Sequence, residues 1–181
     1  MARVIIHATV SLDGFMADSD GGTDWMSGFP IAPEDEELVE KVTKEIGAVV
    51  GGANKAQTIE DGEVPYGGSL RVPVYLMTHS AHEPVEKDGV TYTFVVDDIE
   101  RAVELAKQAA GDDKSVSLLG GSIARQCLAL GLVDEIQLHV VPILLGKGIS
   151  LFAGLDRRVD LERVETAAFA GEAHVRYRVR S

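Results

Sequence analysis

The apolar positions of this chain recur with two periods, one typical of strands and the other of helices. Short apolar or alternating runs predict strands at residues 3–10, 48–50, 74–78, 92–96, 116–119, 136–141, 160–169 and 174–180. Apolar residues three and four apart predict helices from Pro33 to Gly47, from Asp97 or Asp98 to Gly111, and from Ser122, as N-cap, to Gly131. The alternation predicts an α/β fold with a mostly parallel central sheet, helices on both faces and a C-terminal antiparallel hairpin.

A pair of glycines marks the strongest candidate for a binding site. The apolar run 116–119 stops at Gly120 and Gly121, and Ser122 opens the helix that follows. Adjacent glycines let a ligand approach the backbone closely, and the helix start presents unpaired N–H groups that suit an anion. The pattern predicts a phosphate cradle, although the same residues also fit an ordinary tight turn.

Two other strand ends carry small or polar residues. They are residues 51–54, with the sequence GGAN, and residues 78–80, with the sequence THS. In a parallel sheet the carboxyl ends of the strands meet at one edge, which is where ligands bind. Together with residues 120–122, these ends predict a site for one elongated ligand. The alternative is three unrelated turns.

Four segments resemble a known family. They are Gly120, Gly121 and Ser122 with Ala124, and the runs 11–15 (SLDGF), 132–136 (LVDEI) and 141–148 (VPILLGKG). These segments are similar to the reductase domain of bacterial riboflavin biosynthesis, the C-terminal half of RibD, and to its free-standing relatives, which share the dihydrofolate reductase fold. The resemblance implies a single domain of that fold over residues 1–181.

The resemblance also implies that the elongated ligand is NADPH. It places three groups around the cofactor: Gly120, Gly121, Ser122, Ile123 and Ala124 at the pyrophosphate, Gly51, Gly52 and Asn54 in the facing loop, and Thr78, His79 and Ser80 at the adenosine ribose and its 2′-phosphate. It implies a cis peptide between Gly120 and Gly121. The loop after residue 50 departs from the family because Lys55 stands near the place of an arginine, so the preference for NADPH over NADH is open.

At the substrate end, the resemblance places Ser11, Asp13 and Phe15 beside the nicotinamide. Asp13 would handle a proton or anchor the substrate, since hydride transfer leaves a charge that an acid can neutralise. The pair Asp13–Gly14 is also a common turn. Trp25 either walls the substrate pocket or anchors its own loop.

Other polar residues give weaker signals. His7 and His139 lie in predicted strands without a partner at a recognised ligand spacing, so no metal site is predicted. The acidic residues Glu34, Asp35 and Glu36 either begin a solvated helix or supply a carboxylate that grips an aminopyrimidine or pteridine ring.

Composition narrows the classes of partner. A length of 181 residues suits one domain, and a net charge of −12 argues against nucleic acid or an anionic membrane as a partner. The single cysteine, Cys127, excludes an internal disulfide framework and fits a reducing compartment. Its spacing from Ile123 and Leu130 predicts a core position. No signal peptide or spanning segment is evident, so we expect a cytoplasmic protein.

The sequence therefore predicts an NADPH-dependent reductase that transfers hydride to a small heterocyclic substrate, pteridine- or pyrimidine-like, or to a carbonyl substrate. Strand 136–141 and the run 142–145 are apolar on more than one face, and family members commonly pair, so a homodimer is predicted. One alternative is a cofactor- or ligand-binding protein of the same fold with decayed catalysis. Another is a structural subunit that dimerises through exposed strands.

Overall fold

The computed structural model describes residues 1–29, 32–52, 65–68, 70–169 and 171–180. Its strands are β1 (Arg3–Ser11), β2 (Phe15–Ala17), β3 (Ile46–Gly52), β4 (Val74–Thr78), β5 (Val85–Lys87), β6 (Val90–Val96), β7 (Ser115–Leu118), β8 (Glu135–Val141), β9 (Ile149–Ser150), β10 (Leu161–Ala168) and β11 (Ala173–Val179). The helices are α1 (Pro33–Glu45), α2 (Ile99–Ala110) and α3 (Gly121–Ala129), with 3-10 turns at Asp24–Met26 and Pro65–Gly68.

Within the described residues, one large sheet carries the strands in the order β10-β11-β8-β1-β7-β3-β4-β6-β5, and β2 pairs with β9 separately. The strands from β8 to β6 in this order are parallel. Antiparallel pairs flank them: β11 pairs with β8 and with β10 on one side, and β5 pairs with β6 on the other. This arrangement confirms the predicted α/β fold, its mostly parallel sheet and its C-terminal hairpin.

The two faces of the sheet differ in chemistry. The face under α2 and α3 is a continuous apolar core that includes Val4, Ile6, Val116, Ala102, Val103 and Leu128. Cys127 belongs to this core, as predicted, and burial raises the pKa of its thiol to about 12. The face under α1 has a smaller apolar cluster and a line of buried polar side chains, described below.

Local signals set most helix ends correctly. Asp98 caps α2 by accepting the N–H of Arg101 at 2.8 Å, and Gly111 follows its last turn with a φ of +74°. No helix in the described part of the chain is both long enough and apolar enough to cross a bilayer.

The predicted end of α1 at Gly47 is wrong. The helix ends at Glu45, and both Ile46 and Gly47 belong to β3. A Cβ on Gly47 would lie 2.9 Å from the Cα of Ala110, at the end of α2. The glycine therefore lets α2 pack closely against the strand and does not terminate a helix.

The apolar strand from which a dimer was predicted is covered within the chain. β8 lies between β1 and β11, and its Ile136 and Val141 side chains are buried. The homodimer stays a prediction, and the strand that remains uncovered at that end of the sheet is β10, whose residues are mostly exposed.

Candidate active site

The three strand ends that the sequence singled out lie side by side. β7, β3 and β4 are parallel neighbours, with Val50 beside Leu118 and Gly52 beside Met77. A Cβ built on Gly52 would lie 3.9 Å from Cγ1 of Ile123, so the end of β3 faces the first turn of α3. The structure therefore brings residues 51–52, 78–80 and 120–123 to one edge, while Asn54 and Lys55 lie outside the described residues.

The start of α3 presents free amide groups at this edge. Its first helical hydrogen bond runs from the N–H of Ala124 to the carbonyl of Gly120, 3.0 Å long. The N–H groups of Gly121, Ser122 and Ile123 precede that bond and are available to an anion. The amide of Ala124, also predicted in the cradle, is already used by the helix.

Two details of the glycine pair differ from the prediction. Gly120 is the N-cap, with a φ of +92°, and Ser122 lies exposed in the first turn. The described residues contain no cis peptide bond, so the bond between the glycines is trans. The positive φ of Gly120 turns the chain into the helix and replaces both predicted devices, the serine cap and the cis bond.

The two glycines also serve different purposes. A Cβ on Gly120 would meet nothing within 4 Å, so this residue borders open space. A Cβ on Gly121 would lie 2.8 Å from the carbonyl oxygen of Ser150, which accepts a hydrogen bond from Arg125 at 3.1 Å. Gly121 is therefore required where α3 packs on β9, and Gly120 is the glycine that leaves room for a ligand.

Polar side chains at the end of β4 already have hydrogen-bond partners within the protein, which the sequence did not indicate. Thr78 Oγ1 accepts the N–H of Ser80 at 3.2 Å. The exposed ring of His79 lies with Nδ1 2.5 Å from Oδ1 of Asp97. A phosphate at this position would have to compete with that carboxylate for the imidazole.

Asp13 joins two loops. Its Oδ1 accepts hydrogen bonds from Ser11 Oγ at 2.6 Å and from the N–H of Leu145 at 3.2 Å, and its Oδ2 accepts the N–H of Gly146 at 2.7 Å. The Ser11 hydroxyl, together with these amides, lowers the pKa of Asp13. The carboxylate therefore ties the turn after β1 to the loop after β8, and its role in proton handling stays a prediction.

The predicted substrate residues are only partly brought together. Ser11 is buried and accepts the N–H of Phe15 at 3.0 Å, so Ser11, Asp13 and Phe15 form one unit. Trp25 lies half-buried in the 3-10 turn Asp24–Met26, and its indole N–H has no hydrogen-bond partner among the described residues. Its place in a substrate pocket stays a prediction.

A chain of buried polar side chains crosses the face under α1, and sequence reasoning missed it. Tyr66 Oη lies 2.7 Å from Ser117 Oγ and 3.1 Å from His7 Nδ1. His7 Nε2 lies 2.7 Å from His139 Nε2, and His139 Nδ1 lies 2.5 Å from His174 Nδ1. His174 Nε2 ends the chain 2.6 Å from Oδ1 of Asp35. Polar groups from several elements thus satisfy one another in the interior.

Burial sets the charges along this chain. It lowers the pKa of His7 to about 4 and, with the neighbouring imidazoles, that of His139 to about 3, so both rings are neutral near pH 7. Burial would raise the pKa of Asp35, but the bonds from His174 and from the N–H of Ala32 outweigh it and lower the pKa. Because a carboxylate only accepts hydrogen bonds, Nε2 of His174 is the donor to Asp35.

The acidic start of α1 therefore has two kinds of residue. Glu34 and Glu36 are exposed, as a solvated helix start requires. Asp35 is 1% exposed, and its Oδ2 accepts the N–H of Ala32 at 2.8 Å. Both of its oxygens are occupied by protein donors, so the solvated interpretation is wrong for this residue.

Comparison with known proteins identifies the family. The model of the RibD C-terminal domain matches residues 2–175. YyaP of Bacillus subtilis (strain 168) is 29% identical over 179 residues, which cover 93% of this chain and 89% of YyaP. YwjB of the same organism is 24% identical over 178 residues, covering 97% of each chain.

Solved structures share the fold at lower identity. A riboflavin biosynthesis protein from Shewanella sp. PV-4 has a TM-score of 0.80 and 21% identity, with all of both chains covered. A Thermotoga maritima deaminase and 5-amino-6-(5-phosphoribosylamino)uracil reductase has a TM-score of 0.70 and 15% identity, covering 99% of this chain and 57% of that one. Enterococcus faecalis dihydrofolate reductase, complexed with NADP(H), has a TM-score of 0.61 and 13% identity, covering 99% of this chain and 97% of that one. With the family model spanning nearly its whole length, this chain belongs to the RibD C-terminal domain family and has the dihydrofolate reductase-like fold.

Proposed function

We propose that this protein is an NADPH-dependent reductase of a small heterocyclic, pyrimidine- or pteridine-like, substrate. The observation that carries the proposal is the shared edge of β7, β3 and β4, where glycines adjoin the free amide groups of α3. Family membership supports a reductase, and the fold is that of a dihydrofolate reductase complexed with NADP(H).

Each part of the edge has a role in holding the cofactor. The amides of Gly121, Ser122 and Ile123 would bind the pyrophosphate, because the start of a helix favours negative charge. Gly120 leaves the space that this approach requires. We expect Thr78 and Ser80 to contact the adenosine ribose. NADPH, when bound, supplies the hydride.

At the substrate end, we assign Asp13 an anchoring role. A carboxylate with a lowered pKa is ionised near neutral pH and is a poor proton donor. It can still accept a hydrogen bond from a ring or exocyclic N–H while it holds the loop at Leu145 and Gly146. The proton that completes the reduction would then come from water.

Asp13→Asn is expected to loosen the loop after β8. The amide has one acceptor oxygen where the carboxylate has two, so a hydrogen bond to a charged group is lost from the loop. Amide hydrogen exchange should become faster at Leu145 and Gly146. Asp20→Asn, in an exposed loop, is the matched control and should leave both amides unchanged. If amide exchange at Leu145 and Gly146 were unaltered in Asp13→Asn, Asp13 would not anchor the loop after β8.

Cofactor titration tests the reductase itself. Saturable binding of NADPH, followed by fluorescence, and its oxidation by a pyrimidine or pteridine substrate are the expected results. The pairing of His79 with Asp97 favours a second candidate, a binding protein with decayed catalysis, because it weakens the 2′-phosphate site. Saturable binding without oxidation by any such substrate would select that candidate, and no binding would reject both.

A cytoplasmic homodimer is part of the same proposal. Leu161 and Val164 on β10 are 40% and 42% exposed, and an uncovered edge strand is a place where a second chain can pair. A monomeric mass in light scattering at micromolar concentration would contradict the dimer without affecting the cofactor site.

A further inference from the structure

We propose that His139, His174 and Glu172 form a binding site for a divalent transition-metal cation, with Zn²⁺ as the first choice. One ligand atom of each residue lies within 4.8 Å of the other two. The site lies under α1, on the face of the sheet opposite α2 and α3. It goes beyond the proposed reductase activity and does not depend on it.

The two histidines are fixed by strand pairing. His139 on β8 and His174 on β11 are direct partners in the antiparallel ladder, and they are 3% and 4% exposed. Their Nδ1 atoms face each other 2.5 Å apart, so a single proton bridges them. A metal ion would take the place of this proton.

Only a small movement is needed to admit the ion. Tetrahedral Zn²⁺ binds imidazole nitrogen at about 2.0–2.1 Å, which sets two such nitrogens about 3.3 Å apart. The rings would therefore rotate apart by about 0.8 Å from the separation in the structure. The far nitrogen of each ring can remain in its present hydrogen bond during that rotation.

The residues that contact the far nitrogen of each ligating imidazole already suit a metal site. Nε2 of His174 donates to Asp35, which leaves Nδ1 of that ring as the metal-binding nitrogen. Nε2 of His139 faces Nε2 of His7, which can accept its proton. His7 in turn faces the Tyr66 hydroxyl through Nδ1. A carboxylate or other acceptor behind each ligating imidazole is the usual support of a histidine–metal bond.

Glu172 supplies the third ligand and the access route. Its carboxylate is half-buried, and no hydrogen bond or ion pair joins it to another described residue. With Thr9 and Asp35, it lines a cleft along α1 of about 710 Å³ among the residues that the structure describes, while the two histidines line a separate, smaller pocket. Two histidines and one carboxylate leave a fourth tetrahedral position for water, the arrangement of an open zinc site.

The ligand types favour a borderline metal. Imidazole nitrogen suits zinc and its neighbours in the first transition row, whereas Mg²⁺ and Ca²⁺ prefer sites built from oxygen alone. The sequence did not reveal the site because His139 is far in the chain from Glu172 and His174. His139 and His174 come together only through the pairing of β8 with β11.

Metal titration of the full chain tests the proposal. The protein is stripped with a chelator and titrated with Zn²⁺ in competition with a chromophoric chelator, and separately with Co²⁺ while its visible absorption is recorded. The expected result is one ion per chain and intense Co²⁺ bands typical of tetrahedral nitrogen and oxygen ligands. Asp35→Asn removes the negative charge behind His174 and should weaken Zn²⁺ binding about 10–100-fold.

Two direct variants and one control decide the outcome. Glu172→Gln should weaken Zn²⁺ binding by at least about 10–100-fold, and His174→Gln should abolish it. His82→Gln, at an exposed histidine that belongs to neither proposed site, should bind Zn²⁺ as the parent does. If His174→Gln fails to fold by circular dichroism, Glu172→Gln decides alone. Absence of Zn²⁺ binding, or equal affinity in Glu172→Gln and the parent, would overturn the site. NADPH binding, measured separately, tests the proposed function.

Discussion

Ser122→Asp is expected to weaken NADPH binding by over a hundredfold while leaving the protein folded. Ser122 is exposed in the first turn of α3, beside the amide groups that precede the helical hydrogen bonds. A carboxylate there would repel the pyrophosphate and compete for those amides, and the loss of two charge-assisted hydrogen bonds corresponds to about 3 kcal/mol. An acidic residue at the start of a helix favours the fold itself. Fluorescence titration measures the affinity and thermal unfolding the stability.

Gln126→Glu is the matched control for this charge. Gln126 lies one turn further along α3, is also exposed, and donates to Ser122 Oγ at 3.1 Å. The same negative charge at this position should change NADPH affinity by much less, because it lies beyond the free amides. Equal losses of NADPH affinity in the two variants would point to net charge as the cause. If Ser122→Asp bound NADPH as the parent does, the cofactor would not bind at the start of this helix.

Glu135→Ala is expected to lower the free energy of unfolding by about 3 kcal/mol. The Glu135 side chain is 6% exposed and accepts hydrogen bonds from Arg176 Nε at 2.9 Å and Nη2 at 2.6 Å. Arg3 lies on its other side at 3.3 Å. Removing the carboxylate leaves the largely buried guanidinium of Arg176 without its partner, at the point where β1, β8 and β11 meet. Urea unfolding measures the change.

An exposed ion pair on the same hairpin supplies the control. Glu162 and Arg180 are 3.9 Å apart, with side chains 49% and 62% exposed. Water screens such a pair, so Glu162→Ala should cost less than about 0.5 kcal/mol. A similar small cost for Glu135→Ala would mean that Arg176 finds another acceptor or becomes solvated when the glutamate is removed.

Local sequence patterns were sufficient to predict the order of the helices and strands and the edge of the sheet where the cofactor is proposed to bind. Asp98 and Gly111 delimit α2 because capping depends on the nearest residues alone. The strand ends at residues 52, 78 and 120 could be placed together because the carboxyl ends of parallel strands share an edge, whatever their distance in sequence. The glycine at position 47 misled the prediction because close packing against α2 requires the same residue as a helix end does.

The buried polar face could not be predicted in the same way. Asp35 stands among exposed acids, and nothing near it in sequence distinguishes it from Glu34 or Glu36. Its burial follows from the rotation of α1 on the sheet and from the presence of His174 opposite. Likewise, Ser122 has the residue type of a cap, but the backbone conformation of Gly120 moves the helix start by two residues. Both facts depend on tertiary geometry.

The position of β11 has a consequence for how the protein is made. β11 supplies His174 to Asp35 and Arg176 to Glu135, so the last of the described strands provides partners of two buried carboxylates that belong to earlier elements. Until this strand has left the ribosome, Asp35 lacks His174, and Glu135 lacks Arg176 and has only Arg3 as a partner. Until then, unpaired buried carboxylates disfavour closure of α1 and β8 onto the sheet. Emergence of β11 is thus a condition for stable folding, and a product that stops before this strand would remain open to proteolysis.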